Sequence, residues 1–258
     1  MTVTDTAQRH QAILELARTT QRVTVEELAP RFGVSVQTIR KDLNTLCEQR
    51  LLSRVHGGAT LPSGVENLEY EARRRIAAPE KDAIGRAAAA LIPNDSSLFI
   101  NIGTTTEAVS QALLDHSGLL IVTNNINVAN RMRVYPRFEV VIAGGVVRPS
   151  DGGIVGEAAA GFFSQFKVDY AVIGASALDG DGTLLDYDYR EVKVAQAIIA
   201  NARHVILVAD ESKFSRSAPV RIAKLEQIDT LVTDRCPEEI RTHCAAAGVT
   251  LVETSAEA

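Results

Sequence analysis

Two groups of residues in this 258-residue chain have the types and spacing that chemistry needs. The first is Ser35, Gln37, Thr38, Arg40 and Lys41, followed closely by Arg54 and His56. Short or fork-shaped donors and acceptors near one helix start suit base edges in a DNA major groove. Ser35 at the helix N-terminus suits a backbone phosphate, and Arg54 and His56 can reach flanking ones. The second group is scattered along the chain. It comprises Lys81, Gly103, Thr104, Thr105, Thr106, Asn124, Asn125, Gly144, Gly145, Arg148, Asp151, Gly152, Asp210 and Lys213. A glycine turn with hydroxyls opening a helix cradles an anion. The amides offer forks for hydroxyls, and the lysines and the arginine offer charge. A small polyol or sugar phosphate is the ligand class that uses all of them.

The elements that must position the first group lie in 23–59. Thr24 is suited to cap a short helix carrying Leu28 and Phe32, which Gly33 ends. Ser35 caps a second helix, in which Val36, Ile39, Leu43, Leu46 and Cys47 share one face. Gln37, Thr38, Lys41, Asn44 and Thr45 take the opposite face, with Arg40 on its shoulder. Residues 51–56 read as an extended run and Gly57-Gly58 as a tight turn. With a supporting helix over 5–18, turned inward by Ile13, Leu14 and Ala17, the pattern is a winged helix-turn-helix. Pro30 departs from it: the first helix of the motif must stop near Ala29 or kink there.

The second group needs a different scaffold. Short apolar runs recur at 97–102, 119–123, 139–143, 170–174, 204–209 and 230–233. Helical patterns at 106–114, 128–134, 157–166, 189–200 and 237–247 separate most of them. This alternation predicts a parallel sheet covered on both faces, with ligands outside the carboxyl ends of its strands. The second group sits largely at those strand ends. Residues 80–91 read as an Ala-rich helix behind Pro79, and 69–75 as a solvated helix. The expected layout is a DNA-binding domain over 1–60, a linker over 61–78 and an α/β domain over 79–258.

Charge follows the same division. The net of −5 argues against DNA only for the chain as a whole. Residues 1–60 hold 8 Lys+Arg against 6 Asp+Glu, and 61–258 hold 19 against 26, nets of +2 and −7. A mildly basic head on an acidic body fits a DNA reader joined to something that does not touch DNA. No apolar run reaches the length of a membrane span and no signal-peptide layout opens the chain, so a cytoplasmic protein is expected. Cys47, Cys236 and Cys244 are odd in number and scattered, which fits reduced thiols. The five histidines show no metal-ligand spacing, and no metal or cofactor is assigned.

The string SVQTIRKDL over 35–43 followed by RVHGGA over 54–59 resembles the DNA-binding signature of the DeoR family of bacterial transcription regulators. The stretches FINIGTTTEAVSQAL, IVTNNINVAN, AGGVVRPSDGGIVGE, SQFKVDYAVIGAS and DESKF resemble that family's sensor domain, whose fold is related to ribose-5-phosphate isomerase. The resemblance implies a repressor working on double-stranded operator DNA as a homo-oligomer, dimer or tetramer. It also implies induction by a phosphorylated three-carbon polyol, glycerol 3-phosphate, with another sugar phosphate as the alternative.

An enzyme is the competing class. Asp179, Asp181, Asp186, Asp188 and Glu191, with Lys213 elsewhere, could supply a base and a phosphate anchor for a sugar isomerisation. Gly180 and Gly182 punctuate the acidic run as a turn would, so acidic loop tips are the preferred reading. A DNA-reading head also makes sense only if binding is the output.

Overall fold

The computed structural model describes residues 6–20, 22–48, 51–55, 57–60 and 70–254. It divides into two compact units, Met1–Arg73 and Arg74–Ala258.

In the first unit the order is α1 (Thr6–Thr20), β1 (Arg22–Thr24), α2 (Val25–Phe32), α3 (Val36–Glu48), β2 (Ser53–Val55) and β3 (Gly58–Thr60), with α4 (Tyr70–Arg75) across its end. Thr24 and Glu27 form a reciprocal capping box at the start of α2. Pro30 does not stop this helix, which runs on to Phe32. It stands one turn from the end, so the only helical bond it forfeits is the one to Glu26. Gly33 then closes the helix at φ 65°, with Val34 N–H donating to Ala29 O. Ile13, Ala17, Leu28, Ile39, Leu43 and Leu46 make the core. The strands form a small antiparallel sheet in the order β1-β3-β2. Gly58 lies so close to β1 that a Cβ there would stand 2.1 Å from Val23 O. β1 was not expected from the sequence, because three residues carry no periodicity.

The second unit continues with α5 (Ala78–Ala89), β4 (Ser97–Ile100), α6 (Thr104–Ala112), β5 (Leu119–Thr123), α7 (Ile126–Met132), β6 (Phe138–Ile142), β7 (Val146–Val147) and β8 (Ile154–Val155). Then come α8 (Glu157–Phe163), β9 (Val168–Ile173), β10 (Ala177–Leu178), β11 (Thr183–Asp186), α9 (Tyr189–Ala200), β12 (Ala202–Val208), β13 (Val220–Lys224), β14 (Thr230–Thr233), α10 (Glu238–Ala247) and β15 (Thr250–Glu253). Seven strands form one sheet in the order β15-β14-β12-β9-β4-β5-β6, and every pair in it is parallel. Alternate residues face opposite layers. Phe99, Ala171, Leu207 and Leu231 pack with the α8–α10 side, and Leu98, Ile100, Val172 and Val208 with the α5–α7 side. The unit buries both faces of its sheet, as near-continuous apolar strands require. β15 and the antiparallel sheet β10-β11-β13 were not foreseen, being short and partly polar.

Candidate DNA-reading face and effector site

Helix α3 carries the first group. Gln37, Arg40, Lys41 and Asn44 are exposed and Thr38 and Thr45 half-exposed, so the polar face stands clear of the core. Ser35 Oγ accepts from Thr38 N–H at 3.1 Å and fixes the helix start. Val36 is corrected: it is 41% exposed, because the first turn of α3 projects beyond the core. Arg54 is exposed on β2, and His56 lies outside the described residues. What the sequence reading missed is Asp42. It is buried, and Arg9 of α1 grips it through Nε at 2.7 Å and Nη2 at 3.1 Å, with His10 Nε2 at 3.0 Å. Burial pushes the Asp42 carboxyl up, but the Arg9 and His10 contacts outweigh it and hold the group below its ordinary value. Positions 39, 42, 43 and 46 form one helical stripe, which was the available signal.

In the second unit the strand ends gather most of the second group. Gly174, after β9, sits between two neighbours: a Cβ built on it would lie 3.9 Å from Val208 O and 4.0 Å from Ile102 O. Gly103 (φ 150°) opens α6, placing Thr104 and Thr105 at its N-terminus. Thr106 is corrected. Its hydroxyl is fully buried and donates to Asn101 O and Gly103 O, so it shapes the turn rather than facing a ligand. Asn125 is also committed: its Oδ1 caps α7 and its Nδ2 donates to Glu107 Oε1 at 3.1 Å.

Residues 148–153 fold over the ends of β4 and β5. Ile154 N–H donates to Asn124 O at 2.7 Å, Asn124 Nδ2 returns to Ile154 O at 3.0 Å, and Gly153 bridges Asn125. A Cβ on Gly153 would stand 2.4 Å from Ile102 Cδ1, so any side chain there would have to push the Ile102 side chain aside. Gly145 (φ 149°) and Gly152 (φ 73°) let the same hairpin turn. Arg148 was expected on a phosphate and is instead held by carboxylates. Nε and Nη2 meet Asp151 at 2.9 and 2.7 Å, Nη1 meets Asp188 at 3.2 Å, and Nη2 meets Glu191 at 2.6 Å.

The same cluster corrects the reading of the acidic run as loop tips. Asp186 is buried and accepts from Ser176 Oγ at 2.8 Å, Asp188 caps α9, and burial pushes the Glu191 carboxyl up to about 8. Asp179 and Asp181 fit that reading: both lie at the turn between β10 and β11, where Gly182 N–H donates to Asp179 O at 2.9 Å and Asp181 is exposed and paired with Lys224 at 2.8 Å.

Lys81, one of the candidates from the sequence, is 4% exposed. Its Nζ donates to Ile76 O at 2.7 Å and lies 3.9 Å from Asp210 Oδ2. Lys213 is buried in the 3-10 turn Glu211–Ser215 that Asp210 caps. Burial raises the Asp210 carboxyl, but the charges of Lys213 and Lys81 outweigh it and keep the group ionised below its ordinary value. Lys213, Lys81 and Arg216 thus all bring positive charge to this one carboxylate at the end of β12. That arrangement can hold a phosphate.

Comparison with known proteins agrees with this architecture. Residues 9–65 match the DeoR-like helix-turn-helix domain and 76–235 the DeoR C terminal sensor domain. The glycerol-3-phosphate regulon repressor of Escherichia coli (strain K12) is 51% identical over 230 residues, covering 89% of this chain and 91% of that one. Its namesake in Haemophilus influenzae is 50% identical over 90% and 91%. Among solved structures, ribose 5 phosphate isomerase A from Neisseria gonorrhoeae is similar at 13% identity and a TM-score of 0.38, over 52% of each chain. The chain belongs to the DeoR family of DNA-binding transcriptional regulators, with that family's helix-turn-helix and sensor domains in one polypeptide.

Proposed function

We propose that this regulator is a cytoplasmic repressor whose operator affinity falls when a small phosphorylated polyol, glycerol 3-phosphate, binds at the strand ends of its sensor domain. Residues 1–60 read DNA, 61–78 connect, and 79–258 sense. The observation that carries the reading is the pair of buried lysines, Lys81 and Lys213, whose charges both act on the buried Asp210 at the end of β12. The names of the two relatives at about half identity support the choice of ligand. A reading helix with one polar face contacts only a half-site, so a homo-oligomer on a symmetric operator is the working form.

Binding rather than turnover is the output. Asp186, Asp188 and Glu191, the carboxylates nearest in sequence to a catalytic role, are consumed by Ser176, by the α9 cap and by Arg148. The test is thermal unfolding of the full chain. Glycerol 3-phosphate should stabilise by about 2.7 kcal/mol at a hundredfold excess over its dissociation constant. Glycerol should give no shift, and equal shifts from the two would remove the phosphate cradle.

A further inference from the structure

Two described residues other than glycine have a positive φ, Asp95 at 57° and Ala77 at 51°. An aspartate visits the left-handed region with some ease, whereas in an alanine the Cβ crowds the following carbonyl. Such a residue keeps this backbone only where its surroundings impose it. Ala77 stands between α4, which ends at Arg75, and α5, which begins at Ala78. No side chain caps α5 there. Instead, one residue of its first turns holds the carbonyls on both sides of the strained position. Lys81 Nζ donates to Ile76 O at 2.7 Å, and Lys81 N–H donates to Ala77 O at 2.9 Å.

The same ammonium faces the end of β12. Its Nζ lies 3.9 Å from Asp210 Oδ2, close enough for attraction between charges but beyond hydrogen-bond reach. Lys81 is buried, so little water competes for either contact. To bond an acceptor at that edge Nζ must travel by about 1 Å, and its hold on Ile76 O changes with it. We propose that Lys81 and Ala77 form a switch: an anion at the strand ends draws the Lys81 ammonium away from Ile76 O, and the α4–α5 joint relaxes out of its left-handed turn. The joint lies on the covalent path that leads from the DNA-reading unit into the sensor. Its strained form belongs to the state that binds DNA, and its relaxed form to the state that releases it. This switch rests on the effector site proposed above and adds the point at which occupancy there reaches the connecting chain.

The experiment is operator binding by full-length wild type, Ala77→Gly and Lys81→Met, without effector and with saturating glycerol 3-phosphate, whose own affinity is measured by calorimetry. Glycine takes a φ near 51° at no steric cost, so Ala77→Gly favours the DNA-binding state without touching ligand or DNA. It should bind the operator as the wild type does when no effector is present. At saturating effector it should keep at least about threefold more operator affinity than the wild type, because relief of a left-handed alanine shifts the two states by that much or more. A variant weakened only in effector binding would be released as fully as the wild type once ligand is in excess. Lys81→Met should bind the operator less tightly than the wild type before any effector is added, since the hold on Ile76 O is gone. Full release of Ala77→Gly at saturation overturns the switch and leaves the effector site standing. Unchanged operator affinity of Lys81→Met without effector overturns it as well. A wild type that neither binds glycerol 3-phosphate nor responds to it overturns the effector reading, and the switch with it. If Lys81→Met fails to fold, Ala77→Gly decides.

Discussion

Arg148 Nη2 lies 2.6 Å from Glu191 Oε2, and through that contact the loop over the strand ends is tied to the first turn of α9. The same guanidinium holds Asp151 within the loop and Asp188 at the helix cap. Arg148 therefore acts as a latch on the covering loop rather than as a ligand contact. Removing one partner of such a buried cluster leaves uncompensated charge. Arg148→Met should destabilise the sensor domain by about 3–5 kcal/mol, read by chemical denaturation. A loss below about 1 kcal/mol would mean that the cluster behaves as an exposed surface pair.

Glu191 gives the latch a pH dependence. Burial and the Asp186 charge push its carboxyl from 4.5 to about 8 against the pull of Arg148. Between those values the folded chain holds a proton that the unfolded chain has released. Stability from this group is therefore greatest at the acid end, falls as pH rises from 4.5 to about 8, and levels off above that. Glu191→Gln should flatten the slope measured between pH 6 and pH 9. An unchanged slope would place the titration elsewhere.

The Arg9–Asp42 pair should govern the head alone. Asp42 titrates below its ordinary value of 3.8, so its stabilisation is complete above that value and is lost as pH falls through the lower folded one. Arg9→Met should cost about 3–5 kcal/mol in the DNA-binding unit. Operator binding should collapse while the thermal shift with glycerol 3-phosphate persists. Loss of both would mean that the two units do not fold independently.

On the DNA face, Lys41→Ala and Thr38→Ala should weaken specific binding by about 1–3 kcal/mol where each contacts a base edge. Arg54→Ala should instead weaken binding to all sequences alike and lower the salt slope by about one unit. Unchanged operator affinity in Lys41→Ala would shift the register of α3 in the groove.

The sequence was legible where a residue's role follows from spacing along one element. The capping of α2 by Thr24, the polar face of α3 and the parallel strands all follow from periods of 3.6 or 2. It was illegible where a role depends on what the fold brings near. Nothing in the spacing of Arg148 and Glu191 sets them 2.6 Å apart, and nothing around Lys81 says that Asp210 will bury beside it. Composition identified Arg148 as a cation and assigned it to phosphate, but tertiary packing supplied three carboxylates first. Thr106 failed for a local reason: a threonine hydroxyl in the first helical turn finds a backbone carbonyl before it finds a ligand.

The most direct test of a strand-end effector that controls DNA binding is operator occupancy of the wild type and Lys213→Ala, titrated with glycerol 3-phosphate. Linkage requires the ligand to favour the state that binds DNA poorly, with couplings of about 1–3 kcal/mol. Lys213 would contribute a charge-assisted contact worth about 1.5–3 kcal/mol. The wild type should leave the operator as ligand rises. Lys213→Ala should bind the operator normally without ligand and stay bound at concentrations that release the wild type. Normal release of the variant, or a wild type that ligand does not move, would contradict the account.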